Sequence, residues 1–171
     1  MPDVPGPETL RPELAIIRER AHELDERLRP VLTQDRPLDL RPCGDEDPFD
    51  ASPRSPRRHI WVRAVGKLGD SLVEHQAILA YASDYGLLIT SLRPHGMSFR
   101  DPRLMVASLD HSIWFHRPFR MDEWLLYQVD SPVSFGARGF ARGTYFTRQG
   151  ELVASVAQEG LIRVKRPPEE R

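Results

Sequence analysis

Apolar positions along this chain change their spacing near residue 59. Between Thr9 and Leu28, the residues Leu10, Leu14, Ile17, Ala21, Leu24 and Leu28 recur at alternating steps of four and three, which puts them on one face of a helix. Thr9 is a plausible N-cap, Pro12 is tolerable in the first turn, and Pro30 stands at the exit. The spacing predicts a helix that packs on its own domain; a helix that docks on another chain is the alternative. The Pro-rich residues 1–8 read as disordered. Residues 33–58, with the stretch CGDEDPFDASPRSPRR, have no usable period and read as surface loop. They are relieved only by a short strand at Leu38–Arg41.

From His59 onward the pattern is more regular. HIWVRAV (His59–Val65) alternates like a strand. SLVEHQAILAYASDYGLL (Ser71–Leu88) is strongly apolar without alternation and predicts a buried helix, started by Asp70 or Ser71 and ended near Gly86. A loop through Pro94, His95, Gly96 and Pro102 follows. Four strand-like runs come next: Met105–His116, Trp124–Ser131, Gly139–Arg148 and Leu152–Arg163. Arg-Gln-Gly at 148–150 is a hairpin signal. Strand, long apolar helix, then antiparallel meander is an α+β order, and a curved sheet wrapped around the helix would cover both surfaces.

Composition narrows the classes. The 171 residues are 40% apolar and 29% charged with a net charge of −1, so no basic excess calls for nucleic acid. No apolar run approaches the roughly 20 residues of a membrane span. The lone Cys43 cannot close an internal disulfide, which points to a reducing, cytoplasmic setting. The N-terminus lacks a signal-peptide core, and PPEER is not a peroxisomal address. Arg outnumbers Lys 22 to 2, a skew that demands no phosphate ligand.

Phosphate-binding glycine loops and a G-x-S-x-G elbow are absent from the sequence. The six histidines are scattered; His111 and His116, five apart on a strand-like run, would face opposite ways, so neither metal nor cofactor is expected. Asp84 stands out because AYASDYGLL is apolar, and a carboxylate there needs a partner or acts as a base. A helix-end Asp that caps a turn or faces solvent is the plainer reading. Gln158, in SVAQEGLIRV, could orient a water with its amide, though it could equally be an ordinary strand residue. Ser108, Asp110 and His111 are near neighbours in VASLDHSIWFHRP, whereas a hydrolytic triad needs convergent geometry. Structural hydrogen bonds are the simpler role for Asp110, His111 and Arg117. The aromatic group Trp114, Phe115, Phe119, Trp124 and Tyr127 reads as core and interface packing; an acyl tunnel would use the same types.

Two segments, LDHSIWFHRPFRMDEWLLYQVDSP and ARGFARGTYFTRQGELVASVAQEGLIR, resemble the C-terminal hotdog domain of the acyl-CoA thioesterase II family. HIWVRAVG, HQAILAYASDYGLL, LRPHG and, more loosely, RPLDLRPC extend the likeness over residues 36 to 165. The resemblance implies a hotdog fold, a long helix gripped by an antiparallel sheet, within residues 36–166. An N-terminal extension (1–35) would precede it and a tail (167–171) would follow. It implies hydrolysis of fatty acyl-CoA to free acid and CoA, with no cofactor or metal, and hence a place in fatty acid metabolism. By position the family's Asp, hydroxyl residue and Gln fall on Asp84, Ser108 and Gln158; many members carry Thr where Ser108 stands. Asp84 would accept a water proton while Ser108 and Gln158 orient the water, and backbone N–H groups near the helix would meet the oxyanion. Family members also run to nearly twice this length, so the expectation is a homodimer or a pairing with a second hotdog chain. A non-catalytic acyl-CoA-binding subunit is the alternative function, and an enoyl-CoA hydratase a weaker one.

Overall fold

A computed structural model of the chain describes residues 1–44, 47–98, 101 and 103–165. The expected tail at 167–171, and parts of the two expected loops at Asp45, Glu46 and Pro102, lie outside the described residues.

Among the described residues seven strands form one antiparallel sheet: β1 (Leu38–Pro42), β2 (Arg57–Ala64), β3 (Leu104–Ser108), β4 (Ser112–Phe115), β5 (Leu125–Phe135), β6 (Arg138–Thr147) and β7 (Leu152–Val164). The order is β1-β2-β5-β6-β7-β3, with β4 also pairing on β7. The expected single strand Met105–His116 is thus two strands. Residues 109–111 stand opposite only Gln158 and Glu159, one residue too many for the ladder, and both halves pair with the same partner. The other strands fall where alternation puts them, and β5 runs past Ser131 across an irregularity between Asp130 and Val133.

The concave face holds the central helix, which is broken in two. α3 spans Leu72–Ser83 and α4 spans Leu87–Leu92. Gly86 lies between them at φ +91°, a conformation that ends helices and that side chains resist. The helix sits low because glycines leave room. Gly139 and Gly160 face each other across β6 and β7. A Cβ on Gly160 would stand 2.0 Å from Leu88 Cδ2, and one on Gly139 would stand 2.7 Å from Ser91 Cβ. Leu79, Leu87, Val62, Leu125, Tyr127, Val129, Tyr145 and Val156 make the core between helix and sheet.

The N-terminal extension differs from its expected form. In place of one helix from Thr9 to Leu28 there are α1 (Glu13–Glu19), a short 3-10 turn at Ala21–Glu23, and α2 (Arg29–Thr33). Thr9 does not cap α1; its hydroxyl bonds Gly6 O. The apolar residues have two destinations, which one straight helix would not reach. Leu10 joins Trp61, Trp124 and Leu126 on the outer face of the sheet, whereas Ile17 and Leu24 join Phe49. Residues 1–8 are not free either. Trp61 Nε1 donates to Pro5 O at 2.8 Å, and Arg148 pairs with Glu8 at 2.7 Å.

Candidate active site

The helix break is the first part of the site. Asp84 occupies the C-cap of α3, so its carboxylate leaves the helix axis where the chain turns toward Gly86. The plainer sequence reading holds in part: Asp84 is exposed, not buried in an apolar helix. Yet the carboxylate is engaged, and by the other two candidates.

Register supplies the rest. Ser108 ends β3 opposite Gly160 of β7, two residues beyond Gln158, a diagonal within reach of side chains. Gln158 is fully buried on the concave face of β7. Its Nε2 donates to Asp84 Oδ1 at 2.8 Å and to Ser108 Oγ at 2.5 Å. Ser108 Oγ stands 3.5 Å from the same carboxylate oxygen. All three residues, drawn from α3, β3 and β7, therefore meet at one point. Gln158 Oε1 is buried with no partner among the described residues, and such an acceptor calls for a donor. Asp84 and Ser108 open onto a cleft of about 460 Å³ walled by Tyr81, Tyr85, Leu88 and Ile89. The Tyr85 hydroxyl bonds Tyr81 at 2.8 Å. Burial, this bond and the nearby Tyr81 and Asp84 charges push its phenol up to about 12, so at neutral pH it is uncharged.

The turn at 109–111 ties these elements together. Asp110 Oδ1 accepts the backbone N–H of Glu159 at 2.7 Å, and Leu109 N–H donates to Glu159 O at 2.9 Å. These contacts hold β7 directly after Gln158. His111 Nε2 lies 2.7 Å from Ser83 Oγ, which gives its only proton to Ala80 O. His111 must therefore donate through Nε2, and it holds α3 directly before Asp84. From the core side, Tyr127 OH donates to Ser83 O at 2.9 Å. Asp110 and His111 thus make the structural hydrogen bonds expected of them, and these bonds brace the three candidate residues. Sequence reasoning missed Ser83 and Tyr127; the one available signal was the adjacency of Ser83 to Asp84. Arg117 Nη1 reaches Leu152 O at 3.4 Å, away from the site.

Among the described residues no group of three or more His, Cys, Asp or Glu is placed to hold a metal. His116 bonds Ser155 at 2.9 Å, on another part of β7. Of the aromatic group, Phe119, Trp124 and Tyr127 are buried, whereas Trp114 and Phe115 are exposed on β4. No helix among the described residues is long and apolar enough to cross a membrane.

Comparison with known proteins gives a consistent answer. The sequence profile described as acyl-CoA thioesterase matches residues 31–161. The acyl-CoA thioesterase 2 of Haemophilus influenzae is 36% identical over 163 residues, covering 95% of this chain and 57% of that protein. The crystal structure of an acyl-CoA thioesterase II from Mycobacterium marinum superposes with a TM-score of 0.71 at 37% identity, covering 96% of this chain and 56% of the other. A hot dog fold protein from Alicyclobacillus acidocaldarius, only 14% identical, superposes with a TM-score of 0.67 over 97% of this chain and 55% of the other, which shows the fold alone. The chain spans little more than half the length of each.

Proposed function

The chain belongs to the acyl-CoA thioesterase family, and on that premise we propose that it hydrolyses fatty acyl-CoA to free fatty acid and CoA with a water held by Asp84, Ser108 and Gln158. The observation that carries this reading is the bonding of one buried amide, Gln158 Nε2, to both Asp84 and Ser108. A buried glutamine so placed fixes a carboxylate and a hydroxyl relative to each other, which a merely structural strand residue has no need to do. Asp84 keeps lone pairs facing the cleft to take a proton, Ser108 Oγ remains as an acceptor for the water's other hydrogen, and Gln158 holds both in place through Nε2.

The reaction then runs as a general-base hydrolysis. The water oxygen bonds to the thioester carbonyl carbon as Asp84 removes one of its protons. The tetrahedral oxyanion collapses, the carbon–sulfur bond breaks, and sulfur leaves as CoA thiolate. The proton held by Asp84 passes to the products, which are a fatty acid and CoA. The chain's own contribution is mostly placement of the water and the base.

The catalytic unit in this reading is residues 36–166, with 1–35 as an extension. Asp84 and Ser108 are exposed, and the β3–β4 edge next to them bears Met105, Leu109, Trp114 and Phe115, all exposed. Unpaired strand edges and apolar patches invite a partner. A second hotdog unit, from another copy or a separate chain, is the partner proposed to close the cleft. A chain with Cys43 as its one cysteine fits a cytoplasmic setting, and the products fit fatty acid metabolism.

Release of free thiol from acyl-CoAs of graded length, by the chain and by Asp84→Ala, tests the reading. Wild-type turnover with a loss of about 10²–10⁴-fold in the variant is expected for removal of a general base. Equal turnover in both would remove Asp84 from the mechanism. Absence of turnover in both, with acyl-CoA still bound, would favour a non-catalytic binding subunit.

A further inference from the structure

Beside the catalytic cleft, on the side of the N-terminal extension, lies a second cavity of about 300 Å³. It is lined from the extension by Ile17, Leu24 and Leu32, and from the domain by Leu40, Phe49 and Leu92. Tyr85, Gly86 and Ile89 line both this cavity and the cleft that holds Asp84 and Ser108. We infer that this second cavity receives the distal part of the fatty acyl chain, so that the N-terminal extension sets chain-length preference. The inference rests on the thioesterase reading and goes beyond it in naming where the acyl group runs.

Three observations carry it. The first is continuity. The thioester carbonyl must sit within about 3–3.5 Å of the attacking water, hence beside Asp84, and the next residues along the wall are the three shared ones. Gly86 has no side chain to divide the two spaces. A Cβ there would already stand 3.4 Å from Ile60 Cδ1 and 3.4 Å from Arg58 Nη1, and its φ of +91° disfavours any other residue.

The second observation is polarity. The lining is mainly aliphatic and aromatic, which suits a hydrocarbon chain. Four arginines stand in the lining: Arg36 and Arg58 reach Glu13 at 3.3 Å and 3.6 Å, Arg54 reaches Asp50 at 3.7 Å, and Arg93 donates to Ser55 O at 2.8 Å. These cations have partners inside the protein, and an uncharged tail meets less competition than an ionic one.

The third is construction. The extension contributes little to the central core; its buried residues Ile17 and Leu24 form a separate cluster with Phe49, and that cluster is the cavity's outer wall. The breaks between α1, the 3-10 turn and α2 curve the chain around the opening rather than laying it flat on the sheet. A cavity of about 300 Å³ lies at the small end for ligand sites, which favours chains of medium length.

The test fills the cavity from the wall that the N-terminal extension supplies. Leu24→Trp and, as a milder change at a half-buried position, Leu32→Phe would be assayed with acetyl-, hexanoyl-, decanoyl- and palmitoyl-CoA, with thermal melting to identify a variant that has lost its fold. The ratio of kcat/KM for decanoyl-CoA to that for acetyl-CoA should fall by about ten-fold or more, the scale at which a pocket resolves one or two methylenes. Titration of decanoic acid into each protein gives a readout that needs no turnover, and the filled variants should bind it about ten-fold more weakly. An unchanged ratio and unchanged acid binding in a folded variant would overturn the inference while leaving hydrolysis intact. Absence of hydrolysis by the wild type, with acid binding that the filled variants lose, would keep the cavity and remove the thioesterase reading. Absence of both hydrolysis and acid binding would remove both.

Discussion

Gln158 has one amide nitrogen and spends it on two acceptors from different parts of the chain, so the geometry of the trio is only as good as the alignment of the segments that carry it. That alignment falls to Asp110 and His111. Each reaches a residue adjacent to a member of the trio, Glu159 and Ser83 respectively, and neither bonds the trio itself. In the proposed mechanism His111 is therefore a positioning residue, and its loss should read differently from the loss of Asp84. In His111→Ala, kcat should fall by about 10–100-fold, the scale of a misplacement of about 1 Å, with KM little changed. His111→Gln, which keeps an N–H donor, should recover part of the rate. A variant that weakens KM and kcat equally, with no recovery by glutamine, would mean that His111 touches substrate.

The sheet's glycines do for the elements what His111 does for the side chains. A Cβ on Gly143 would lie 2.3 Å from the Tyr127 ring. That ring is fully enclosed and stacked on Tyr145 at 4.1 Å between centroids, so it has nowhere to swing. Its hydroxyl holds Ser83 O, one residue before Asp84. Gly143→Ala should therefore overpack the core by about 1–3 kcal/mol, lower Tm by several degrees, and reduce kcat through the displaced α3 end. A melting temperature within a degree of wild type would show that the ring yields. Much of this level was legible from the chain. Two-residue alternation located the strands, a strongly apolar run without alternation located the central helix, and Gly86 marked its break, after which α4 continues it to Leu92. What was not legible depended on pairing at a distance. Residues 109–111 interrupt the strand because β3 and β4 pair with β7 in registers one residue apart, which no local pattern records. The N-terminal apolar stripe looked like one helix because periodicity cannot say that Leu10 and Ile17 answer to different cores. Asp84, Ser108 and Gln158 became a set only through resemblance, since nothing in their own neighbourhoods brings α3, β3 and β7 together.

At the scale of the whole molecule two surfaces decide behaviour in solution. One is an ion network that ties the loop before α3 to the connection before β5. Arg120 pairs with Asp122 at 3.0 Å and Asp70 at 2.8 Å, and Leu68 N–H donates to Asp122 at 3.1 Å. The Arg120 guanidinium first, and then that N–H, hold the Asp122 carboxyl at about 2, below its ordinary 3.8. Because folding lowers this pKa, the stabilisation is complete above about pH 4 and disappears as pH falls toward 2. The urea midpoint of Asp122→Asn should therefore lie below that of wild type at pH 6 and approach it near pH 2; parallel curves would discount the network. The other surface is the β3–β4 edge. Trp114, 53% exposed, and Phe115, 38% exposed, sit on a strand only four residues long, beside the cleft that Asp84 and Ser108 leave open. A lone unit of 19.6 kDa would keep both the apolar edge and the reacting water in contact with solvent, which weakens every charge interaction in the site. Pairing removes both defects at once, so light scattering should report twice the single-chain mass. Trp114→Asp should return the mass to one copy and lower kcat/KM without altering the fold by circular dichroism. A wild-type protein that is monodisperse at one copy and fully active would mean that the exposed edge needs no partner and that the cleft closes by other means.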